Sequence, residues 1–314
     1  MHPSIAPLTL EVALTSWRLD TVTTVVVVVV LVAYVLAWRR ASSRGGSSVP
    51  RSAVVVFGVL GSGVWLVAGV SVVGVYSDTL FWVRALQFVL LLLVAPFGLA
   101  LGRPVTVLRE SLGGRGCARF DAALDSRAAR LLLGPIPTSA CMLVVPWLIY
   151  FSGWYELILR DASVDVATRL LLVVIGIGYF YARLQVDPVP RRYPQALSLG
   201  ITTAESIADG LLGIVLWQGS LVAADYYTSL HRTWGPGLRT DQTIGAGVLW
   251  ILGDVVGLPF LMVLFRRFRS DERETEKKVD AALESGAELP AHDPTETGSG
   301  LWWESDPNLR DRYR

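Results

Sequence analysis

In the stretch "FWVRALQFVLLLLVAPFGLALGRP", residues 81–104, Arg84 and Gln87 stand three residues apart near the start of an otherwise apolar run. On a helix that spacing puts both side chains on one face. A guanidinium and a carboxamide placed so can grip a carboxylate, or lock one helix to its neighbours. Further polar groups interrupt comparable apolar runs: Arg169, Glu205, Asp209 and Asp254, with Asp165, Asp241 and Gln242 at run ends. An ionisable group in hydrocarbon is costly, so each needs a partner or a task. Two readings follow. In the first, Arg84 pairs with an acidic residue such as Asp165 or Asp241 and ties the ends of three runs together, while Asp209 and Asp254 share a proton or bond to backbone. In the second, these groups line a polar cavity that handles an ion or docks a partner. Glu205 then joins Asp209, one turn away on the same face.

Metal chemistry asks for other residues. Copper(I) selects Cys, Met or His gathered on facing elements. His2 and His292 lie near the termini, and His231 lies in a polar segment beside Trp234. Cys141 and Met142 are adjacent, so on a helix they point in different directions. Met262 ends the last apolar run, and neither a His-x-x-x-His nor a Cys-x-x-Cys spacing occurs. From the residues alone, no metal site and no cofactor are expected. No Gly-rich nucleotide loop, Gly-x-Ser-x-Gly elbow or Walker pattern is present either, so the chain reads as a non-enzyme.

The elements that hold these groups follow from composition. The 314 residues are 52% hydrophobic with a mean hydropathy of +0.48. Several runs reach about 20 apolar residues, the length that crosses about 30 Å of hydrocarbon. They lack the two-residue alternation of a membrane barrel. The expected fold is an all-α polytopic membrane protein with seven transmembrane helices, at 21–38, 53–75, 79–101, 131–151, 166–184, 199–222 and 243–265. The "VVVVVV" of the first span is a weak helix in water. In lipid, a helix is how a single segment satisfies its own backbone.

Loop charge sets the expected orientation. Arg39, Arg40, Arg44 and Arg51 follow span one, six arginines fill 102–130, Arg183, Arg191 and Arg192 follow span five, and Arg266, Arg267 and Arg269 follow span seven. The alternate loops carry Arg160, Arg232 and Arg239. This predicts an outside N-terminus and a cytoplasmic C-terminus. The organisation is then an outer segment 1–20, a helical domain 21–265 and a cytoplasmic tail 266–314, helical at 270–285 and disordered beyond. The first apolar run is followed, not preceded, by its arginines, which argues for a retained helix over a cleaved signal. Cys117 in a loop and Cys141 in a span suggest no disulfide.

Net charge is +1, so overall charge selects no partner. The basic 102–130 segment borders the membrane, and anionic headgroups explain it better than nucleic acid does. With 26 Arg against 2 Lys, the composition fits a high-GC bacterial genome and hence a bacterial plasma membrane. No repeated helix pairs suggest an inverted-repeat transporter.

Motifs spread over most of the chain carry a resemblance. They are "SWRLD", "YSDTLFWVRALQFVLLLLVAPFGLALGRPVTVLRES", "VDPVPRRYP", "ADGLLGIVL", "DYYTSLHRTWGPGLRTDQTIGAGVLWILGD", "RRFRSDERE" and "WWESDPNLRDRYR". In this order they resemble the bacterial cytochrome c oxidase assembly proteins of the CtaG-like family, in their actinobacterial form. The resemblance implies a seven-span, N-out protein that partners cytochrome c oxidase subunits while the haem–copper enzyme is built, with copper as the metal involved. It also draws attention to Asp187, Pro188, Pro190 and Arg191 in the loop after span five. The family's span-three motif reads His-Met-x-Gln-His-Met. Aligned on Pro96, Arg84 and Phe88 replace the two histidines and Gln87 is kept. A span-six histidine of the family falls at Asp209. The resemblance thus implies an assembly or accessory role without the imidazole pair. The alternatives are a copper chaperone that uses His231, Cys141 or Met142, and a small-ion or proton-coupled transporter that uses Glu205, Asp209 and Asp254.

Overall fold

The computed structural model describes residues 6–44, 47–188 and 195–255, together with 257 and 262. Among them every regular element is helical. A short helix α1 (Leu10–Thr15) leads to α2 (Thr21–Ser43), which Asp20 caps by accepting from the Thr23 amide. Then come α3 (Arg51–Tyr76), α4 (Phe81–Leu101), α5 (Pro104–Ser111), α6 (Gly114–Leu124), α7 (Arg127–Leu132) and α8 (Pro135–Phe151). The chain continues through α9 (Trp154–Arg160), α10 (Ala162–Leu184), α11 (Gln195–Gln218), α12 (Ala224–Ser229) and α13 (Leu238–Gly247), which runs on into a wider turn, Val248–Leu252.

Four of these helices are long and apolar enough to cross a membrane: α2, α3, α4 and α10. The pair α8 and α9, bent by 71°, makes a fifth if counted as one span. Helix α11 overlaps the stretch expected for span six, and α13 with its wider turn overlaps only the first part of the stretch expected for span seven; neither is among the helices long and apolar enough to count as a span in the described residues. The expected segment 270–285 and the Trp-bearing tail lie outside the described residues. Cys117 sits inside α6 rather than in a loop.

The sequence explains which helix is central. Helix α4 is mostly buried, while α2 turns Val22, Val25, Val28, Val29 and Val32 outward. In water that valine face would be a liability; in a bilayer it is solvated by chains as apolar as itself. Close approach centres on Gly98 of α4. A Cβ there would fall inside the backbone of Gly61 on α3. Small residues at such crossings let helices pack without a hydrophobic drive from water. The core around α4 joins Phe81, Phe88, Leu91, Phe97, Tyr150, Tyr155, Leu172 and Phe180.

Candidate functional site

Phe81–Val89 opens α4 as a regular helix, so Arg84 and Gln87 share a face, and that face is buried. Arg84 is 0% exposed. Its Nη1 donates to Asp165 Oδ1 at 2.5 Å and to Gln87 Oε1 at 3.1 Å, and its Nη2 donates to Asp78 in the turn before α4. Asp165 begins α10, and its second oxygen lies 3.0 Å from Arg169 Nε, one turn on. Arg169 Nη1 donates to Asp20 Oδ2 at 2.5 Å and to Thr23 Oγ1 at 3.2 Å. The result is a ladder of alternating charge, Asp20–Arg169–Asp165–Arg84–Asp78, across the entry of α2, the start of α10 and the start of α4. Gln87 Nε2 donates to the Ala68 carbonyl at 2.8 Å and so adds α3.

An aromatic shell surrounds the ladder. The Arg84 guanidinium lies 6.0 Å from the Phe88 ring centre, and Tyr155 and Tyr227 share a hydroxyl–hydroxyl hydrogen bond of 2.8 Å. Tyr150 stacks on Tyr155 with ring centres 5.3 Å apart. Such a low-dielectric setting strengthens each pair and raises the penalty for breaking it.

The other sequence-selected residues fall in separate places. Asp241 does not reach Arg84. It accepts from the Trp82 amide at 3.0 Å and pairs with Arg232 at 3.1 Å. Gln242 is likewise spent on backbone: it accepts from the Val222 amide and donates to the Leu216 and Ser220 carbonyls, at 2.7–2.9 Å. His231 is exposed on a left-handed residue (φ 47°), its ring nitrogen 2.8 Å from the Ser229 carbonyl. Trp234 packs edge-on to Tyr76, with the Arg232 guanidinium over its ring.

Glu205 has a partner that loop counting misassigned. Arg183, taken as a loop charge, is the penultimate residue of α10 and is 0% exposed. Its Nη2 donates to Glu205 Oε1 at 2.8 Å and to Ser139 Oγ at 2.6 Å, and Tyr179 donates to the other Glu205 oxygen at 2.7 Å. Asp254 is exposed and makes no ion pair among the described residues, and the side chain of Asp209 lies outside them. Glu205 is therefore committed to Arg183 and Tyr179. A void of about 50 Å³ between α4, α8, α10 and α11 is lined by Phe88, Leu92, Met142, Tyr150 and other largely apolar residues.

Asp187 caps α5. It accepts from the Thr106 amide at 2.9 Å, the Thr106 hydroxyl at 2.6 Å and the Val105 amide at 3.2 Å. Burial pushes its carboxyl above the usual range, against those bonds. The Pro188 carbonyl accepts from Tyr181. Pro190 and Arg191 lie outside the described residues. On the same face Glu110 accepts from Ser47 Oγ at 2.7 Å and also from Ser48, tying the α2–α3 connection to α5.

Sequence reading missed Asp78, Asp20 and the Arg183–Glu205 pair. Asp20 was detectable, since an Asp directly before an apolar run is an N-cap signal. Asp78 was detectable only as the nearest acid preceding Arg84.

A copper ion does not fit the ladder. Arg84 offers donors only and remains protonated. Both ends of the Gln87 amide are engaged. Cys141 is exposed, Met142 lies in the apolar void's wall, and His231 is exposed in a turn. Among the described residues no three His, Cys, Asp or Glu side chains gather as a metal-holding group.

A family model described as "Cytochrome c oxidase caa3 assembly factor" matches residues 32–271. Uncharacterized proteins of Mycobacterium bovis and Mycobacterium tuberculosis are each 25% identical over 287 residues, covering 89% of this chain and 43% of their own length. An uncharacterized protein of Mycobacterium leprae is 22% identical over 279 residues, covering 86% of this chain and 42% of itself. The chain thus spans less than half the length of the curated relatives it matches. No solved structure matches it.

Proposed function

The chain belongs to the family of caa3-type cytochrome c oxidase assembly factors, and on that premise we propose that it is a non-enzymatic membrane scaffold for building a haem–copper oxidase. It acts without the family's copper-ligand pair. It crosses a bacterial plasma membrane seven times, N-terminus outside, and meets oxidase subunits there. The arginine-rich loops that alternate along the sequence support the orientation.

One observation carries the reading. At the position where the resembling family has its first motif histidine, a fully buried Arg84 is held between Asp78 and Asp165. A fixed guanidinium stands where a bound cation would stand, and it keeps the surrounding helices joined with no metal. Copper chaperone activity through His231, Cys141 or Met142 is disfavoured by their scatter. Ion transport through Glu205 and Asp254 is disfavoured because Glu205 is spent on Arg183 and Tyr179.

The test is deletion of the gene, followed by oxidase haem spectra and copper content of the membranes. Loss of oxidase signal, restored by the wild-type chain in copper-replete and copper-limited medium alike, is the expected result. Normal oxidase in the deletion strain would overturn the assembly role. One copper bound per purified chain, lost in Arg84→Ala, would overturn the metal-free scaffold.

A further inference from the structure

Between α4 and α8 the 102–130 segment carries six arginines against three carboxylates, Glu110, Asp121 and Asp125. The structure shows where those charges go. Glu110 is taken by Ser47 and Ser48. Asp121 is taken by Arg109 in a two-pronged pair of 2.7 and 2.8 Å. Arg103 donates to the Val186 carbonyl at 3.1 Å. Four arginines remain. No ion pair among the described residues engages Arg115, Arg119 or Arg127, and Arg130 reaches Asp125 only at 3.9 Å. All four are exposed.

Their arrangement is that of an interfacial surface. In α6, Cys117, Phe120, Asp121 and Leu124 form the partly covered face, at the i, i+3, i+4, i+7 spacing of one helix side. Arg115 and Arg119, one turn apart, stand off that face. In α7, Arg127 and Arg130 lie one turn apart and lead directly into Leu131, Leu132 and Ile136, which are 68–70% exposed. Helix α8 begins at Pro135 and continues as an apolar helix. Exposed leucines that lead into an apolar helix, preceded by exposed arginines, are what a segment at a lipid interface presents.

We infer that α6 and α7 form a docking surface for anionic phospholipid headgroups, with Arg115, Arg119, Arg127 and Arg130 as phosphate ligands and Leu131, Leu132 and Ile136 seated among the acyl chains. Guanidinium groups match phosphate oxygens in fork geometry, and the aliphatic residues supply the depth. This goes beyond the oxidase role and depends only on the chain being a membrane protein.

The experiment reconstitutes the full chain into nanodiscs of phosphatidylcholine with a minor fraction of phosphatidylglycerol and reads the lipids retained by native mass spectrometry. Wild type should enrich phosphatidylglycerol over the bulk ratio. The quadruple R115Q/R119Q/R127Q/R130Q variant should lose that preference by about tenfold or more, each basic residue near an anionic surface being worth a several-fold change. The quadruple Arg→Lys variant should keep most of it, which separates lost charge from lost folding. Equal retention by wild type and the Gln variant would overturn the proposal. So would full competition by millimolar inorganic phosphate, which would mark a site for free phosphate rather than for lipid. An oxidase defect in the deletion strain is scored separately, so the two readings fail independently.

Discussion

Arg84 and Asp165 join α4 to α10 through a 2.5 Å ion pair whose guanidinium is wholly buried. The pair is the middle of a five-member ladder with three carboxylates and two guanidinium groups. This makes the two residues unequal. Removing the Asp165 charge leaves two complete pairs, Arg169–Asp20 and Arg84–Asp78. Removing Arg84 leaves Asp165 and Asp20 competing for Arg169. Breaking a buried pair typically costs about 3–5 kcal/mol. Arg84→Met should therefore cost about 3 kcal/mol or more, and Asp165→Asn about 1–2 kcal/mol. Thermal melting in detergent reads the order; equal losses would show that the ladder does not act as a unit.

The same position tests why the guanidinium is there. Arg84→His with Phe88→His restores an i, i+4 imidazole pair on one face of α4, beside the carboxylates of Asp78 and Asp165. The double variant should bind copper and melt higher with metal than with chelator, while wild type shows neither response. Metal analysis after gel filtration and paired melts give the result. Copper bound equally by both proteins would place the metal elsewhere.

Helical class and the rough positions of the four long apolar helices were legible in the sequence, because run length and hydropathy act locally. The polar residues were harder, since their roles depend on depth and facing. Asp241 looked like a partner for Arg84, and Gln242 stood beside it at a run end. They turn out to satisfy backbone groups at broken helix ends, a demand that appears only once the α11–α13 connection is folded. Arg183 looked like a loop charge because arginines at span ends usually face water. It is drawn inside because Glu205, Ser139 and Tyr179 surround it. Asp78 was legible only through its closeness in sequence, because a turn, not a helix face, brings it to Arg84.

Glu205 gives a discriminating case for transport. A carboxylate that carries protons must alternate between partners, whereas this one accepts from Arg183 and Tyr179 at once. Glu205→Gln should lower the melting temperature by about 6–12 °C, the shift expected when a buried pair worth about 3 kcal/mol is broken. Proton uptake into proteoliposomes should stay at the level of empty vesicles for both proteins. Uptake that is present in wild type and absent in Glu205→Gln would establish a transport role instead.

The Glu110 clasp should show itself through pH. Burial pushes this carboxyl up, but the hydrogen bonds from Ser48 and Ser47 outweigh burial and hold it below the usual range. A group whose folded pKa is depressed adds stability above its unfolded value, near 4.3 for a glutamate, and loses that contribution as pH falls through the folded value. Glu110→Gln should therefore melt a few degrees below wild type at neutral pH, with the gap closing as pH falls below the usual glutamate value. The difference between the two proteins is the quantity to read, because Asp20 and Asp121 are also held low and will weaken both alike in acid. A gap that is constant from neutral to acid would mean that Glu110 contributes through packing and not through its charge. The clasp between the α2–α3 connection and α5 would then survive protonation.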